Sequence, residues 1–179
     1  MHKTKQITLT ASLIAVGAAV RAGIGGLALN APEPFYGILI KIGLTETLTF
    51  VSGFVFGPIA GFLSGASIII ISDMAMLPGA WTPFIAAIIG LIGVCASLIR
   101  KGVEKPTFRI MGISAVALTL MSEILQNTWV AVFYNVPILV AVIAGISSLI
   151  AALVNNLILF TTLGLRTIRI ILESALRSN

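Results

Sequence analysis

Residues 35–77 read FYGILIKIGLTETLTFVSGFVFGPIAGFLSGASIIIISDMAML. The stretch is apolar almost throughout, and it is too long for one helical crossing of a ~30 Å hydrocarbon core, which takes ~20 residues. Gly57-Pro58 divides it. A proline lacks a backbone donor and disfavours helix in the residue before it, so a tight turn fits at that dipeptide. The stretch therefore predicts two spans, Phe35–Phe56 and Pro58–Leu77, rather than one long kinked helix. Segmenting outward at charges, prolines and turn residues adds Ile7–Leu29, Trp81–Ile99, Phe108–Phe133 and Pro137–Leu165. The expected fold is all-α: a polytopic membrane protein with six transmembrane helices in one compact bundle, a single domain over residues 1–179.

Composition agrees. Hydrophobic residues make up 58% of the chain and charged residues 9%, where a soluble domain carries about 25% charged residues. A bilayer enforces that deficit, because an ionised group in hydrocarbon is costly. The net charge of +5 is placed as a membrane protein places it, not as a nucleic-acid binder does. Nine of the eleven basic residues are Lys3, Lys5, Arg100, Lys101, Lys105, Arg109, Arg166, Arg169 and Arg177. All nine fall on one side if both termini are cytoplasmic, as the positive-inside rule then requires. The connections Asn30–Pro34, Pro78–Ala80 and Tyr134–Val136 carry none. The first span follows Lys3 and Lys5 as a signal peptide would, but its apolar run exceeds the 7–15 residues of a signal core and contains Arg21. It is expected to stay as a span, in a multi-pass protein of the cell membrane.

Several chemistries are excluded. Cys95 is the only cysteine and His2 the only histidine, so neither an internal disulfide nor a Cys/His metal cluster is expected. No G-x-x-x-x-G-K-[ST] is present, so any ATP hydrolysis belongs to another subunit. An intramembrane serine protease needs a histidine partner, and His2 sits at the wrong end. No enzymatic activity and no cofactor are expected.

Arg21, Lys41, Glu46, Asp73 and Glu123 fall within the predicted spans. Intramembrane charges face a bundle interior or a watery cavity and mark functional sites. A rise of ~1.5 Å per residue from the nearest external turn puts all five toward the outer half, Glu123 deepest. Two cations and three carboxylates are equally able to pair among themselves as structural ion pairs. Glu123, Gln126 and Asn127 recur at i, i+3 and i+4, on one helical face, with Trp129 and Tyr134 beyond them. A carboxylate, two amides and aromatic rings suit a polar, partly aromatic small molecule. The same amides serve as interhelical hydrogen bonds, and the same rings as interface-belt residues. Asn155 and Asn156 sit near mid-depth of the last span and face different directions, so one of them is expected in any cavity. With Arg21 and Trp81 these residues form the candidate substrate-binding set. Ser147 and Ser148 read best as bonding their own backbone.

Small residues mark close packing: Gly61 and Gly65 as G-x-x-x-G, and Ala11, Ala15 and Ala19 as a stripe on the first span. Either suits contacts within the bundle or with a partner. Residues 23–28 match G-x-G-x-x-A, but no strand or βαβ unit surrounds them. Their expected meaning is a loosened outer end of the first helix, before the two prolines of Asn30–Pro34.

Residues 53–66, GFVFGPIAGFLSGA, followed by Asp73, resemble the second-to-third helix junction of energy-coupling factor (ECF) transporter S components. Ala11 and Ala15 are similar to that family's contact with its coupling subunit. Length, six spans, cytoplasmic ends and a basic fourth-to-fifth loop extend the likeness over the whole chain. The resemblance implies a membrane-embedded binder that captures a vitamin or related small molecule from outside. It also implies a separate transmembrane coupling subunit and two ABC ATPase subunits as partners, and a site built from the first external loop and helices four to six. Asn127-Thr128-Trp129 resembles the folate-type members, and the Asn155-Asn156 region is similar to several others, leaving the substrate open among vitamins and their precursors. The alternative function is a self-sufficient proton-coupled secondary transporter, with Glu123 or Asp73 as the proton carrier.

Overall fold

The computed structural model describes residues 3–28, 41, 44–103 and 105–176. Its helices are α1 (Lys3–Ala28), α2 (Thr45–Phe56), α3 (Pro58–Ala75), α4 (Thr82–Gly102), α5 (Phe108–Phe133), α6 (Ile138–Ala144), α7 (Ile146–Leu159) and α8 (Leu165–Leu176). A π-helical turn, Phe160–Gly164, joins α7 to α8, and no strand occurs among the described residues. α1, α3, α4, α5 and the continuous run from α7 through α8 are each long and apolar enough to cross a membrane. The protein is an all-α polytopic membrane protein.

Its surface is inverted relative to a soluble bundle. Ile7, Leu27, Ile59, Met74, Ile113 and Val132 are each more than two-thirds exposed, whereas Thr47, Thr49, Ser52, Ser64 and Ser72 are fully buried. Lipid tails are as apolar as leucine, so helix association inside a membrane relies on close packing and polar contacts instead of apolar burial.

α2 is the central helix, with nine of its twelve residues buried. At about 18 Å it is too short to span by itself. Helix was expected from Phe35; Lys41 instead lies in a turn, and α2 begins at Thr45. Residues 35–40, 42 and 43 of that expectation lie outside the described residues. Phe50 and Phe54 of α2 stack along the axis and Phe160 closes on Phe50, with ring centroids 5.7 and 4.9 Å apart. Ile69, Ile92, Met111 and Ile168 complete this core.

The turn at Gly57-Pro58 forms as its residues dictate. Gly57 has φ 99°, a region that costs a side chain, and Pro58 opens α3. Gly53, Gly61 and Gly93 then let three backbones meet. A Cβ on Gly93 would lie 2.3 Å from the Gly61 carbonyl carbon, and one on Gly53 1.9 Å from the Gly93 oxygen. Ser52 and Ser64 hydroxyls bridge α2 and α3 at 2.7 Å.

Two further expectations need correction. The glycines after Arg21 do not loosen α1, which stays helical to Ala28; Gly25 instead admits Met76, whose sulfur would be 1.9 Å from an added Cβ. The last span is not one helix over Pro137–Leu165. It is interrupted at the single residue Gly145, where a Cβ would meet the Asn127 amide, and it runs on to Leu176, with no proline or glycine after Gly164 to stop it.

Candidate functional site

The intramembrane charges converge at the end of the bundle opposite the Arg100-Lys101 terminus of α4. Arg21, late in α1, donates from Nη1 to both the Ser72 hydroxyl and the Asp73 carboxylate of α3. The second Asp73 oxygen accepts from Thr82 at the start of α4, at 2.7 Å. Lys41 donates to Glu123 and, at 3.1 Å, to the Gln126 amide oxygen, both on α5. Asn155 of α7 donates to the Lys41 carbonyl at 3.2 Å. A turn residue is thus tied to two helices by its ammonium group and its backbone.

Between these pairs lies a cavity of about 110 Å³. Arg21, Lys41, Thr45, Glu46 and Gln126 line its polar side, and Ile69, Ile85 and Ile89 its apolar side. It has room for several waters and falls short of the ~300–1,000 Å³ of pockets that enclose a drug-sized ligand. Such a cavity takes part of a ligand and fixes its orientation with a few convergent polar groups.

The candidate residues separate into groups. Arg21 and Gln126 line the cavity, and Glu123 stands behind it, 5% exposed, holding Lys41. Asn155 supports the Lys41 turn. Asn156 faces the other way, 1% exposed and donating to Thr119 at 2.9 Å. Asn127, on the Glu123 side by helical spacing, packs against Gly145 rather than the cavity. Trp129 stacks on Phe133 at 4.9 Å and meets Phe84 and Tyr134 at 5.4 and 6.0 Å. This aromatic group begins one helical turn beyond Gln126 and one residue before Ile85, and none of its rings is among the cavity's lining residues. Trp81 lies over Gly79, partly exposed, and is not among the cavity's lining residues.

Sequence reasoning omitted Lys41, Glu46 and Thr45 from the site. The first two are intramembrane charges of the sequence. The available signal was arithmetic: three carboxylates against two cations leave one carboxylate over.

The two glycine and alanine patterns part company. Gly61 and Gly65 pack inside the bundle, against Gly53, Gly93 and Ile89. Ala11, Ala15 and Ala19 are exposed on α1, whose buried small residues there are Gly17 and Ala18. With Ser67, Ile71 and Ala75 of α3 they line an open, shallow groove.

A family model for the S component of ECF-type riboflavin transporters matches residues 2–168. The chain belongs to this family. No curated protein and no solved structure gives a match. As an ECF S component, the protein is a membrane-embedded, vitamin-binding transporter subunit, and its family is one of transporter subunits, not enzymes.

Proposed function

We propose that the cavity between α1, α2, α4 and α5 is the capture site of this S component and that its ligand is riboflavin or a closely related flavin. The observation that carries this reading is the convergence of Arg21, Lys41, Glu46 and Gln126 from four parts of the chain onto one cavity. The aromatic group around Trp129 supports a planar heteroaromatic ligand, since stacked rings there offer a flat apolar neighbour. Of the vitamin classes that the sequence leaves open, the family match favours the flavin.

Capture precedes delivery to a separate coupling subunit driven by two ATPases. The groove around Ala11 and Ala15 supports that contact, because exposed small residues let a partner helix approach its backbone closely. The proton-coupled alternative draws less support: Asp73 and Glu123, its carriers, are each held by a cation.

The test is a titration of the purified protein in mild detergent with riboflavin, followed by quenching of flavin fluorescence, beside mass spectrometry of small molecules retained through purification. Saturable quenching at one site per chain is expected. Absence of saturation, with a different compound retained, would refute the flavin assignment.

A further inference from the structure

The cavity's charges do not balance. Asp73 neutralises Arg21 and Glu123 neutralises Lys41. Glu46 lines the same cavity, within electrostatic reach of Lys41, Arg21 and Glu123. Among the described residues it has neither an ion-pair partner nor a side-chain hydrogen bond to another residue. It lies in the first turn of α2, where free backbone amides favour a negative charge.

Among the described residues no cation other than Arg21 and Lys41 lines the cavity. Residues 29–40, which precede Lys41, contain Glu33 and no lysine, arginine or histidine. The 78–80 and 134–136 connections are likewise without a basic residue.

We infer that Glu46 is a specificity-determining residue: its carboxylate accepts hydrogen bonds from donor groups of a neutral ligand and excludes anionic forms of the same scaffold. This rests on reading the cavity as the capture site. With Glu46 ionised beside Lys41, a phosphate or carboxylate entering there would meet one unit of excess negative charge and two cations already engaged. A hydroxyl, imide or amine would find a free acceptor. The field of one carboxylate extends across a ligand of this size, because the low dielectric of a membrane interior screens it weakly.

The probes are riboflavin and its 5′-phosphate ester, titrated separately against the wild-type protein and against Glu46→Gln. Glutamine keeps the volume and an acceptor oxygen while removing the charge. In the wild type the ester binds about 100-fold more weakly than riboflavin, or worse. Glu46→Gln narrows that ratio by about tenfold or more, chiefly by improving the ester. Should that variant fail to fold, the wild-type ratio alone decides, since equal affinities for the two probes overturn the inference. An unchanged ratio in a folded Glu46→Gln overturns it as well, and both results leave the capture site standing. Failure of the wild type to bind riboflavin at all instead removes the proposed function on which the inference rests.

Discussion

Replacing Lys41 by methionine tests the architecture of the site independently of any ligand. The lysine and glutamate side chains of this pair are 16% and 6% exposed, so neither is well solvated. Removing one partner of a buried pair leaves an uncompensated charge and costs about 3–5 kcal/mol. Gln126 also loses its donor, at 3.1 Å. For a chain of this size each kcal/mol moves the melting temperature by ~2–4 °C, so Lys41→Met is expected to melt about 6–20 °C lower. Removing both charges with apolar residues of similar volume is often neutral or stabilising. Lys41→Met combined with Glu123→Leu should therefore recover most of the loss, with a coupling energy of ~2 kcal/mol or more. The assay is thermal unfolding of ligand-free protein in detergent, read by the fluorescence of Trp81 and Trp129. A single variant as stable as the wild type, or a double variant as unstable as the single, would show that the pair does not hold the turn to α5.

Other outcomes follow from the same geometry. Gln126→Ala should weaken riboflavin binding by about tenfold, ~1.4 kcal/mol, while Asn127→Ala, on the Gly145 side, leaves it near the wild-type value; calorimetry showing equal losses would contradict their separation. Gly93→Val should destabilise by about 3 kcal/mol or more, since the clash is with backbone that cannot give way. Gly23→Ala, with open space around its Cβ, should gain up to ~1 kcal/mol from helix propensity, and melting curves of the two check both. Ala15→Trp should bind ligand normally yet fail to co-purify with a coupling subunit, because Ala15 is exposed on α1. Joint loss of binding and assembly would mean that α1 packs differently, and intact assembly would remove the groove from the interface.

Much of the fold was legible because the bilayer imposes one-dimensional rules. Apolar length and a Gly-Pro turn are local properties, and Phe108–Phe133 was read to the residue. Boundaries failed where a local rule met a tertiary one. Gly43 is a weak signal beside Lys41; the turn is held by Glu123, Gln126 and Asn155, which lie far along the chain. The packing of Asn127 on Gly145 likewise joins residues far apart in the chain.

The sequence by itself determined that the protein lives in a membrane, which residue types are available for chemistry, and that intramembrane charge is unequal in sign. Each of these is a sum or a run along one chain, needing no knowledge of neighbours. The tertiary structure decided which charges meet. Helical spacing put Glu123, Gln126 and Asn127 on one face, yet a face spans enough angle for Gln126 to line a cavity and Asn127 to pack on another helix. Small-residue stripes read alike on paper, and only packing turned Gly61 inward and left Ala15 outward. Glu46 shows the division most plainly: the count of intramembrane charges left one carboxylate over, and geometry decided which one, because pairing depends on distances that only the folded bundle sets.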